Sequence, residues 1–132
     1  MNEAPTLMII DDDEDDVKLF IESAKEVDSS TKCIGITDAA GGLQYLKNEA
    51  NTLPDYIFLD LRMPKISGQK CLEEIRKIDR AAGIPVFIYS TSRDEEDIKN
   101  LTESGAVMFI TKPTNPEEIY YLLSNILGEK WK

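Results

Sequence analysis

Histidine is absent from this chain. Its absence excludes a Ser-His-Asp or Cys-His nucleophilic mechanism, a metal site built on imidazole, and a role as phosphohistidine donor. Cysteine is scarce. Cys33 and Cys71 are the two, they lack CxxC spacing, and each lies in an apolar segment, as free thiols in a reducing cytoplasm do. Long apolar runs are missing too: the longest reach about four residues, far short of a membrane span. The opening residues MNEAPTLMII carry neither the basic n-region nor the long apolar h-region of a signal peptide. Positive charge is in short supply, with 15 Lys and Arg against 25 Asp and Glu and a net charge of −10. Such a surface repels phosphate backbones, which argues against direct nucleic-acid binding, and it suits a divalent cation or a basic protein partner.

What is present reads as one soluble domain spanning 1–132, with a core over about 6–128. Five short apolar runs stand out: LMII (7–10), CIGI (33–36), YIFL (56–59), VFIY (86–89) and VMFI (107–110). Most are apolar throughout, as strands buried on both faces must be. Helical spacing separates them. Val17, Phe20, Ile21 and Ala24 share a face, as do Ala39, Leu43, Leu46 and Ala50, then Leu72, Ile75 and Ile78, and finally Ile119, Leu122, Leu123 and Ile126. The segment 93–104 offers only Ile98 and Leu101, which predicts a short, weakly held helix. Asn115-Pro116-Glu117-Glu118 has the form of a helix start, and Ser92 and Glu95 have capping-box spacing. Gly83, Gly105 and Gly128 stand where helices should stop. The order is (βα)5, a parallel sheet covered on both faces.

In open sheets of this kind, sites lie beyond the carboxyl ends of the strands. Those ends carry Asp11-Asp12, Asp60, Ser90 and Thr111-Lys112-Pro113. Three carboxylates brought together repel unless a cation sits among them, and oxygen ligands suit Mg²⁺ or Mn²⁺. A lysine and a hydroxyl beside that cation are the parts needed to hold a phosphoryl group, and a carboxylate can be its nucleophile. The residues alone therefore lead to a Mg²⁺-assisted phospho-acceptor.

The segments MIIDDDEDD (8–16), FLDLRMPKISG (58–68), PVFIYSTS (85–92) and GAVMFITKP (105–113) resemble those of the response-regulator receiver domain of two-component systems, and the resemblance covers essentially the whole chain. It implies a flavodoxin-like doubly wound sheet of strand order 2-1-3-4-5. It implies that Asp60 is the phosphoacceptor, that Asp12 binds the metal directly and Asp11 through water, and that the Arg62 backbone carbonyl completes the metal site. Ser90 falls on the switch hydroxyl, Lys112 on the phosphate-binding lysine and Phe109 on the aromatic switch. Met63-Pro64 and Gly68 fall on the loop after the acceptor, and the family commonly has the bond before Pro113 cis. The expected donor is a sensor histidine kinase or a histidine phosphotransfer protein. The expected output is a downstream protein target, or self-association, through the face made by the fourth helix, fifth strand and fifth helix. There Tyr121 lies opposite the core stripe, with Tyr120 at its margin. Arg62, two residues past the acceptor, is expected to cover or pair with the phosphoryl oxygens and slow hydrolysis. No turnover beyond the protein's own phosphorylation and dephosphorylation is implied. A last helix ending near Gly128 points to a stand-alone, cytoplasmic regulator without an output domain.

Two other readings use the same residues. A haloacid-dehalogenase-like phosphatase would take Asp11, Asp13, Ser90 and Lys112 in order, but Asp15 stands where Thr or Val is usual and no acidic pair follows Lys112. A calcium loop would take Asp11, Asp13, Asp15 and Glu22, but Asp16 replaces the required glycine and a strand precedes the run.

Overall fold

In the computed structural model five strands alternate with five helices: β1 (Thr6–Ile10), α1 (Glu14–Val27), β2 (Lys32–Ile36), α2 (Ala39–Lys47), β3 (Tyr56–Leu59), α3 (Gly68–Arg76), β4 (Val86–Ser90), α4 (Glu95–Glu103), β5 (Met108–Thr111) and α5 (Pro116–Trp131). The structure describes residues 5–91, 95–113 and 115–131, with backbone only for 128–131. The strands pair in parallel in the order β2-β1-β3-β4-β5, the doubly wound flavodoxin-like arrangement.

The five apolar runs become the five strands, and the three inner ones are covered on both faces. Every residue of β3 and β4 is buried, whereas the edge strands β2 and β5 are half-exposed. Alternation along the strands divides the core by chemistry. Tyr56 and Phe58 of β3 and Phe87 and Tyr89 of β4 point to the face covered by α1 and α5, while Ile57, Leu59, Val86 and Ile88 point to the opposite, aliphatic face. Phe20 of α1 sits 4.8 Å from Phe58, which in turn stacks on Phe87 at 5.1 Å. Losing a ring of this kind to alanine costs about 3–5 kcal/mol.

The helix starts are specified locally. Asp13 caps α1, its carboxylate accepting from the Asp15 and Asp16 amides. Asp38 caps α2 and Ser67 caps α3. Asn115 Oδ1 accepts from the Glu117 amide at 2.8 Å, as its Asn-Pro-Glu-Glu pattern predicts. Ser92, of the expected capping box, lies outside the described residues. In α4, Leu101 is the one fully buried residue, so this helix is held weakly.

Several boundaries differ from expectation. Helix α2 stops at Lys47, leaving Ala50 exposed, because Asn48 and Asn51 turn the chain there. Helix α3 stops at Arg76, and Ile78 joins the core from the following turn. Gly105 has φ +105 and ends α4 as expected, but Gly83 shows no positive φ and Gly128 lies inside α5. The Lys112–Pro113 bond is trans, the ordinary preference of an X-Pro bond. Cys71 is buried, while Cys33, on edge strand β2, is only half-buried; both are free.

Candidate functional site

The strand ladder itself delivers the site residues. Asp11, Asp60 and Lys112 each sit one residue past a strand end, with the backbone still tied into the sheet. The Asp11 amide donates to Ile36 O (3.0 Å), the Asp60 amide to Ile10 O (2.9 Å) and the Lys112 amide to Ser90 O (2.8 Å). Their side chains therefore project from rigid backbone at one edge of the sheet.

There they meet. One carboxylate oxygen from each of Asp11, Asp12 and Asp60 lies within 4.8 Å of the others. Asp11 and Asp60 are buried and Asp12 is exposed. Lys112 Nζ lies 2.6 Å from Asp11 Oδ2, 2.9 Å from Asp16 Oδ2 and 3.7 Å from Asp60 Oδ1. The Ser90 side chain and the Arg62 backbone N–H both favour the ionised form of the Asp60 carboxylate. Beneath the ammonium, 5.8 Å away, is the Tyr89 ring.

The electrostatics follow from burial. Burial pushes the Asp60 carboxyl up to about 6, and the Asp11 charge adds to the rise. Lys112, Ser90 and the Arg62 amide work in the opposite direction. Burial likewise raises Asp11 against the pull of Lys112. Burial alone would lower the Lys112 amine, but its pairing with Asp11 and Asp16 and the charge of Asp60 raise it. One ammonium thus faces more negative charge than it neutralises. Asp11 Oδ2, although close to Lys112, has no aligned hydrogen-bond donor, while Oδ1 accepts from the Asp13 amide at 3.0 Å. An all-oxygen, electron-rich cluster of this kind fits a hard divalent cation.

The loop after Asp60 is held against the acceptor. The Gly68 amide donates to Leu61 O at 2.9 Å, and a Cβ on Gly68 would collide with the Asp60 carbonyl oxygen and lie 2.6 Å from Leu61 Cα. Only glycine lets α3 start this close to the acceptor backbone.

Residues 7–124 match the response regulator receiver domain family. The chain belongs to that family. A receiver is a phospho-accepting signalling domain, and its described residues include no helix long and apolar enough to cross a membrane. The phosphorylated cyanobacterial phytochrome response regulator RcpA is 29% identical, with a TM-score of 0.85 over 97% of this chain and 94% of that one. Response regulator Rcp1 of Synechocystis is 26% identical over 95% of this chain and 88% of its own length. Its Mn²⁺-bound form superimposes with a TM-score of 0.83 at 24% identity. The probable C4-dicarboxylate response regulator DctR of Bacillus subtilis is 33% identical over 96% of this chain, which spans 54% of DctR's length.

The structure brings together Asp11, Asp12, Asp60, Ser90 and Lys112. The Arg62 side chain, 68% exposed, turns instead to α4, where it pairs with Asp97 at 3.1 Å. Phe109 is partly buried against the aliphatic cluster, and Tyr121 is exposed. Two contributors were not anticipated. Asp16 stands in an acidic run and counts against a calcium loop, and nothing in the sequence marks it as the partner of a lysine 96 residues away. Tyr89 read simply as a strand residue.

Proposed function

We propose that Asp60 is the phosphoacceptor of a switch driven by a phosphohistidine donor, a sensor histidine kinase or a histidine phosphotransfer protein. The observation that carries this reading is the convergence of Asp60 with Asp11, Asp12, Ser90 and Lys112 at one sheet edge. Asp11, Asp12, Asp60 and the Arg62 carbonyl are the groups to hold Mg²⁺ or Mn²⁺. That ion, when bound, supplies charge neutralisation for the transferring phosphoryl group.

The chain's own residues do the rest. An ionised Asp60 oxygen attacks phosphorus as the bond to the donor nitrogen breaks, and the histidine leaves. The Lys112 ammonium and the Ser90 hydroxyl hold the phosphoryl oxygens. Drawing Ser90 inward opens space for Phe109, and the face made by α4, β5 and α5 changes shape. The large hydrophobic residues exposed among the described ones are Val107 (57%), Met108 (50%) and Tyr121 (63%), which fall beside or on the edge strand β5 and on the helix after it. This supports that face as the surface for a protein target or for self-association. Two free cysteines fit a cytoplasmic location.

The test is binding of the phosphorylated protein to itself and to candidate partners, wild type against Tyr121→Ala. Weakened association at unchanged phosphorylation supports the face; equal association rules it out.

A further inference from the structure

Asp16 lies outside the group of carboxylates that converge as a cation site. It stands in the first turn of α1, its side chain 37% exposed, and accepts a hydrogen bond from Lys112 Nζ at 2.9 Å. The helix start does not use this carboxylate, because Asp16 contributes to the cap through its backbone amide, which donates to Asp13. Lys112 is 9% exposed, and an ammonium has three N–H groups. Asp16 takes one of them, Asp11 lies against the head at 2.6 Å, and Asp60 Oδ1 lies beyond bonding distance at 3.7 Å. The gap toward Asp60 is where an oxygen of a phosphoryl group on that residue would come.

We propose that Asp16 is a positioning residue for phosphoryl transfer, anchoring the Lys112 ammonium so that a proton faces the incoming phosphoryl oxygen. The inference rests on Asp60 being the acceptor. Without Asp16 the ammonium answers only to Asp11 and Asp60, and it collapses onto them. The nucleophile is then masked by a closed ion pair, and the head is displaced from the phosphoryl oxygens. Asp16 thus acts through Lys112 and touches no reacting atom.

Asp15 provides the control. It is an exposed acid of the same first turn, with the same effect on the helix dipole, but it is not among the carboxylates that pair with Lys112, which are Asp11, Asp16 and Asp60. Phosphorylation by acetyl phosphate at saturating Mg²⁺ is followed by intact mass for wild type, Asp15→Ala, Asp16→Ala, Lys112→Ala and Asp16→Ala with Lys112→Ala. Asp60→Asn serves as the blank. Asp16→Ala should slow labelling about three- to tenfold, the range of an orienting hydrogen bond to a charged group. Asp15→Ala should stay within about twofold. In the Lys112→Ala background, followed over longer times, Asp16→Ala should change nothing further.

Three results overturn the inference: an unchanged rate for Asp16→Ala, equal slowing by Asp15→Ala, or the same slowing by Asp16→Ala when Lys112 is gone. Failure of the underlying acceptor assignment looks different. Wild type would take no label, or Asp60→Asn would take as much, and the inference would fall with it.

Discussion

Replacing Asp60 by asparagine should make the protein more stable. The wild-type side chain is 7% exposed, and burial and the Asp11 charge lift its carboxyl from 3.8 to about 6. A carboxyl group harder to ionise in the folded state than in the unfolded chain opposes folding wherever the unfolded chain's carboxyl is ionised. Below its unfolded value both states are protonated and there is no penalty. The penalty grows as pH rises from the unfolded value to the folded one and is complete above it. The shift of about two units corresponds to at most about 3 kcal/mol at pH 8 and about half of that at pH 5. Asparagine keeps the shape without the charge. In chelator at pH 8, Asp60→Asn should therefore melt up to about 10 °C above wild type, with a smaller gain at pH 5. Mg²⁺ should narrow the gap by binding the wild-type carboxylates preferentially. Thermal and urea melts of both proteins at the two pH values, with chelator and with Mg²⁺, measure this. A variant no more stable than wild type at pH 8, or one that gains more at pH 5, would refute the electrostatic account of the site.

Other substitutions separate the roles of neighbouring residues. Asp12→Ala should weaken Mg²⁺ binding more than about tenfold in a calorimetric titration, since its carboxylate belongs to the three-residue cluster. Asp13→Ala should leave affinity within about threefold yet lower stability by about 1 kcal/mol, because Asp13 is the α1 cap. Gly68→Ala should cost about 1–3 kcal/mol in urea melts and slow phosphorylation, as a Cβ there displaces the acceptor backbone. Arg76→Met should cost about 2–3 kcal/mol, since the guanidinium donates to the carbonyls of Ala82, Ile84 and Gly105 and so ties α3 to the two loops leading into β4 and β5.

The strands and the residues that close them were legible because two short-range rules coincide. Inner strands of a parallel sheet are apolar throughout, and the first polar residue after each falls at the site edge. Asp11, Asp60 and Ser90 could be placed by those rules without any long-range contact, and Lys112 lies in the Thr111-Lys112-Pro113 segment that closes the edge strand β5. Helix ends were less legible. Gly128 has the residue type of a stop but lies within α5, and Ala50 has helical spacing but lies past the Asn48 turn. Spacing records what a segment could do, and local hydrogen bonds decide where it stops. Side-chain partners remote in sequence and lying away from the strand ends were not legible. Arg62 meets Asp97 on α4, Arg76 meets Gly105, and Lys112 meets Asp16, each choice made by packing of separate elements.

The most direct test of the central claim is the site and number of phosphoryl groups. The protein is incubated with Mg²⁺ and acetyl phosphate, its intact mass is recorded, and the acyl phosphate is trapped by borohydride reduction before peptide mapping. One group per chain, acid-stable and base-labile, should appear at Asp60, and Asp60→Asn should take up none. Equal labelling of Asp60→Asn, or a trapped label at another aspartate, would contradict the account.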